Sequence, residues 1–136
     1  MKNVLVSLVV ATATFMGTGL AHSATLADLR GQMSAARESL VTMLTHKDKR
    51  GAEQQKVVKD TADLVSASLA KMKAPAGKEA QFKELVETWN AFKKTRETEL
   101  VPLILAGKDA EARKIATGIQ KDRITRCQQL IGELGG

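Results

Sequence analysis

Aromatic side chains are scarce in this chain of 136 residues: three Phe, one Trp and no Tyr, 3% in all. That scarcity argues against β-sandwiches and barrels, which draw on aromatic and β-branched residues. It argues equally against readers of single-stranded nucleic acid, which stack bases on aromatic rings. Proline occurs twice, too rarely for a Pro-rich disordered segment. Two His and one Cys leave little material for a zinc site or a catalytic triad, and none for an internal disulfide. No stretch alternates apolar and polar residues with period two, so no strand is expected. What remains is 43% apolar and 26% charged, the make-up of one globular domain.

The N-terminus carries the one long apolar run. Lys2 precedes Val4 to Leu20, and a small-residue zone, Gly19 to Ala24, follows. This is the pattern of a secretory signal peptide over residues 1–24, with cleavage after Ser23 or after Ala24. The run contains two Gly and four Ser or Thr and falls short of the roughly 20 strongly apolar residues of a membrane anchor. Export to the periplasm, with no membrane span after cleavage, is the expectation. His22 leaves with the leader, and His46 falls in a polar turn.

Removing Lys2 leaves 20 basic against 15 acidic residues, a net charge of +5. The signs are interspersed, as from Lys47 to Glu53, rather than gathered on one face. A nucleic-acid footprint needs such gathering, so no nucleic-acid partner is expected and the charges read as a solvated helical exterior. Weak attraction to an acidic ligand stays open.

Apolar residues recur at spacings of three and four. The first seam is Leu26, Leu29, Met33, Ala36, Leu40, Met43, and the second is Val58, Ala62, Val65, Leu69, Met72. The third runs Phe82, Leu85, Trp89, Phe92, Arg96, Leu100, Leu103, and the fourth Ala112, Ala116, Ile119, Arg123, Cys127, Leu130, Leu134. These stripes predict helices over about 25–47, 52–73, 78–106 and 109–134. Turn signals separate them: Arg50-Gly51, Pro75-Ala76-Gly77 and Ala106-Gly107. Short turns between long helices predict an all-α, antiparallel up-down-up-down four-helix bundle over residues 25–136. Asp109 stands where an N-cap would open the last helix. Pro102 should either bend the third helix or mark the first turn of a restart.

Arg96 and Arg123 fall on seams otherwise built of apolar side chains, where an unpaired guanidinium is costly. One account has them reach the edge or pair with Glu53, Asp60, Glu99 or Asp122. The other has them share a cavity and hold an anion such as a carboxylate, with Trp89 and Phe92 beside them. Arg96 lies 11 residues before Gly107 and Arg123 16 after it, so their levels differ by roughly 7 Å at 1.5 Å per residue. Cys127 reads as a small core residue, with an intermolecular disulfide, and so a homodimer, left open. Met33, Met43 and Met72 fit as core filling, a copper-binding cluster being the other use of such residues. No histidine stands near a seam to act as a base, no phosphate loop occurs, and Asp60 and Asp63 belong to a charged face. A non-enzymatic protein is expected.

From Trp89 to Leu134 the chain resembles the second hairpin of the four-helix-bundle ligand-binding domain of methyl-accepting chemotaxis receptors and related sensor kinases. The likeness rests on Trp89, Phe92 and Arg96, then an aliphatic run, then Ala-Gly-Lys-Asp with Glu111-Ala112, and Arg123 in the closing helix. It implies an extracytoplasmic module that binds a small molecule or a periplasmic protein partner. In that family the domain lies between two membrane helices. No second such helix follows here, which implies a free-standing relative. The start Ala27 to Met33 and the late Gly107-Lys108 helix are also similar to the soluble periplasmic b-type cytochrome of the four-helix class. That likeness implies haem b held by Met33, with Cys127 where the family has its axial histidine. No Cys-x-x-Cys-His site for covalent haem is present.

Overall fold

The computed structural model describes residues 24–136, and the signal peptide expected at the N-terminus lies outside them except for Ala24. The described chain is all-helical and has no strand. Four rods follow one another. The first is α1 (Leu26–Thr45) and the second α2 (Ala52–Lys71). The third joins α3 (Glu79–Thr95), a π-helical turn (Arg96–Leu100) and α4 (Val101–Leu105). The fourth joins α5 (Asp109–Thr117) and α6 (Ile119–Leu134).

Local chemistry sets the ends. Thr25 opens α1 through a reciprocal capping box: its Oγ1 accepts from the Asp28 amide at 3.1 Å, and the Asp28 carboxylate accepts from the Thr25 amide at 3.0 Å. Gly107, at φ 76°, closes α4, and the Lys108 amide reaches back to Leu103 O at 2.8 Å. This satisfies a terminal carbonyl and turns the chain into α5. Asp109 does not cap α5. Lys108 occupies that position, and the Asp109 carboxylate is drawn away to Arg50 at 3.0 Å.

Both later rods depart from straight helices, and each departure shifts which residues face inward. Pro102 has no amide to give and its ring crowds the carbonyl four residues back. The chain answers with a wide turn in which the Val101 amide bonds Arg96 O, five residues earlier, and Pro102 then sits in the first turn of α4. Beyond that turn Leu100 and Ile104 are fully buried, while Leu103, expected on the stripe, is only half-buried. In the fourth rod Gly118 breaks the helix at φ −99°, ψ −108°. A Cβ there would lie 2.8 Å from Lys114 O, so the break requires glycine. After it, Gln120 and Ile124 take the buried stripe, whereas Ile119 is exposed and Arg123 half-buried, against the expected seam.

The core forms two apolar clusters. One gathers Leu29, Met33, Leu85, Trp89, Cys127 and Leu130 with their neighbours. The other gathers Leu40, Met43, Val58, Leu100, Ile104 and Ala112. Arg50 ties the second cluster shut. Its guanidinium donates to Met43 O and Leu44 O, each at 2.8 Å, to Ile104 O at 3.3 Å and to Asp109.

Candidate functional site

Between the two clusters runs a polar layer contributed by all four rods. Arg96 is its centre and is 0% exposed. Nη1 donates to Ala36 O at 2.7 Å, and Nη2 donates to Val58 O at 2.8 Å and to Ser39 Oγ at 3.1 Å. Nε is buried without a partner among the described residues. Ser39 Oγ in turn donates to Ala36 O and meets Thr61 Oγ1 at 3.0 Å. Among the described residues no carboxylate forms an ion pair with Arg96, and burial pushes its pKa down to about 10, with Glu97 opposing. Arg123 belongs to the same layer but faces elsewhere: Nη1 donates to Thr95 Oγ1 at 2.8 Å and to Gln120 Oε1 at 3.0 Å. Gln120 Nε2 completes the layer by donating to Phe92 O at 2.9 Å.

The two arginines thus share a level but not a ligand position. Arg96 turns toward α1 and α2, and Arg123 toward α3 and its own helix. Asp60 pairs with Lys56, and none of Glu53, Glu99 or Asp122 forms an ion pair with either arginine. Trp89 is fully buried, its Nε1 donating to Ser66 Oγ at 3.0 Å and its ring 5.3 Å from that of Phe92.

Phe92 leads to the space that a ligand could use. A cavity of about 170 Å³ opens between α1 and the fourth rod, walled by Leu40, Val41, Leu44, Phe92, Leu100 and Ala116. Thr45, Thr117 and Gln120 also line it, and Arg37 and Arg113 complete its border. The two threonines spend their hydroxyl protons on carbonyls of their own helices, Val41 O and Arg113 O, each at 2.8 Å. Arg37 and Arg113 are exposed, and neither side chain takes part in a hydrogen bond or ion pair among the described residues. Nothing in the periodicity marked them, because both lie on the charged outer face of their helices.

Met33 and Cys127 do not suit haem. Both are 0% exposed and packed in the same apolar cluster as Trp89 and Leu85, and neither lines the cavity. Burial also pushes the Cys127 thiol up to about 12, as befits a sulfur packed among apolar side chains. Met33 and Met43 sit in different clusters. Among the described residues no group of three His, Cys, Asp or Glu side chains is placed to hold a metal, and no helix is long and apolar enough to cross a membrane. Comparison with protein families, with curated proteins and with solved structures yields no match.

Proposed function

We propose that the protein is an exported four-helix bundle of the chemoreceptor-sensor kind, binding a small ligand without catalysing its reaction. The observation that carries the proposal is the apolar-walled cavity between α1 and the fourth rod. Such a concave apolar site with a few polar groups at its edge is the usual form of a small-molecule site. An up-down-up-down course is supported by which ends meet: the start of the third rod meets the end of the fourth, and the start of the second meets the start of the fourth. Lys78, just before α3, donates to Glu133 O near the end of α6 at 2.7 Å. Arg50, just before α2, reaches Asp109 at the start of α5. The signal-like leader supports a periplasmic location.

The π-helical turn gives such a site a means of response. Leu100 closes that turn and forms part of the cavity wall. Wide turns of this kind are frequent at functional positions. A ligand pressing on Leu100 would act on the segment that holds Arg96.

A thermal-shift screen of the purified chain against small metabolites tests the reading. Compounds that stabilise it should lose their effect in Ala116→Leu, which fills the cavity. No stabilising compound, or stabilisation unchanged in Ala116→Leu, would overturn it. Edman sequencing of the secreted product should begin at Ala24 or Thr25, and retention of Met1 to Ser23 would refute export by cleavage.

A further inference from the structure

We propose that the cavity between α1 and the fourth rod takes a small monoanion with a compact apolar body, a carboxylate on one ring or a short aliphatic chain. Arg37 and Arg113 would hold its charged end. This rests on the ligand-binding reading above and names the chemical class.

The walls set the body of the ligand. An apolar cavity of about 150 Å³ accepts benzene, so a volume of about 170 Å³ suits one ring or a chain of similar bulk. Leu40, Leu44, Phe92 and Leu100 offer such a group dispersion contacts and nothing to bond. A second charge on the ligand would be pressed against these walls unsolvated, which excludes compact dicarboxylates.

The border sets the charge. The polar side chains that line the cavity differ in what they have left to offer. Thr45 and Thr117 donate to helix carbonyls, while Gln120 donates to Phe92 O and accepts from Arg123. Arg37 and Arg113 come from different helices, and their guanidinium groups hold no partner. No Asp or Glu lines the cavity to neutralise them. Asp109 feels Arg113 weakly, but its carboxylate is bonded to Arg50. Two unpaired forks beside an apolar space match one carboxylate, which accepts bidentate bonds and brings an apolar body with it. A free inorganic anion would satisfy the forks and leave the walls wet.

Calorimetric titration with three probes of one shape separates the possibilities: benzoate, benzyl alcohol and benzylammonium. Benzoate should bind at one site, benzyl alcohol about tenfold more weakly, and benzylammonium not at all. Arg37→Gln and Arg113→Gln should each weaken benzoate about tenfold and leave benzyl alcohol unchanged. Benzoate binding should also fall with added salt, because both guanidiniums are exposed. Both residues lie outside the core, and circular dichroism of the variants confirms that they fold. Benzoate binding unaffected by the double substitution would overturn the assignment. If benzyl alcohol or benzylammonium binds as tightly as benzoate and is lost in Ala116→Leu, the anion class falls while the cavity reading stands. If neither these probes nor hexanoate bind, the anion class falls. If the metabolite screen is also empty, the ligand-binding reading falls with it.

Discussion

Replacing Arg96 with Met removes a buried charge while keeping most of its volume, and its effect can be worked out from the contacts. Three hydrogen bonds from a charged donor are worth roughly 1.5–3 kcal/mol each. Against them stands the burial of the charge, which holds the pKa near 10 and corresponds to about 3 kcal/mol. Ordering the long side chain costs about 2 kcal/mol more. The balance is a net contribution centred on about 2 kcal/mol, which Arg96→Met should lose. Arg96→Lys should lose more, about 3–5 kcal/mol, because it keeps the cost of a buried charge. Its single Nζ cannot reproduce two Nη atoms reaching Ala36 O, Ser39 Oγ and Val58 O. Urea unfolding followed by far-UV circular dichroism measures both, and an unchanged denaturant slope would show that the compared states are the same. A Met variant as stable as the parent would refute the reasoning. It would mean that Ala36 O and Val58 O are sufficiently served by Ser39 and Thr61, which also donate to them. A Lys variant more stable than Met would refute the claim that fork geometry, rather than charge, matters here.

Cys127, buried and with its thiol pushed up to about 12, should resist alkylating reagents at pH 8 until the chain unfolds, and rapid labelling of the folded protein would contradict its packing. Arg50→Ala should cost about 2–4 kcal/mol in urea, since three carbonyls and Asp109 lose one common donor. Arg50 holds the Asp109 carboxyl below the ordinary carboxylate range, so the unfolded chain binds the proton first and this contribution is lost as pH falls through the lowered value. The parent should therefore lose stability below about pH 4 more steeply than Arg50→Ala, and parallel acid titrations would contradict the assignment. Gly118→Ala should destabilise by about 1–3 kcal/mol because its Cβ meets the Lys114 carbonyl, and a neutral result in thermal unfolding would show that the break can straighten.

The first two helices could be read closely from their apolar spacing: Leu29, Met33, Ala36, Leu40 and Met43 are all buried, as are Val58, Ala62, Val65 and Leu69. Periodicity served there because each helix runs unbroken with one register. It served less well beyond Arg96 and beyond Gly118, where a wide turn and a break each rotate the following residues. Ile104 and Gln120 then become interior residues at positions that a uniform period assigns elsewhere. Arg96 was recognisable as an anomaly on its seam, but its acceptors were not, because two of the three are backbone carbonyls on other helices. Arg37 and Arg113 carried no sequence signal at all. Their distinction is the lack of a partner, which only three-dimensional neighbours define.

The wide turn at Arg96–Leu100 also separates two kinds of tolerance. Glu97, Thr98 and Glu99 are exposed, and their side chains can be exchanged freely by the usual measure of burial. Their number is another matter. Deleting one would take up the extra residue of the wide turn, so that Leu100 and Ile104 fall three and seven places after Arg96 and stay on its stripe. Adding one would instead swing Leu100 and Ile104, both fully buried, by about 100° around the axis and out of the interior. The segment therefore carries one residue more than a regular helix needs, room that Pro102 uses, and its register survives a loss better than a gain.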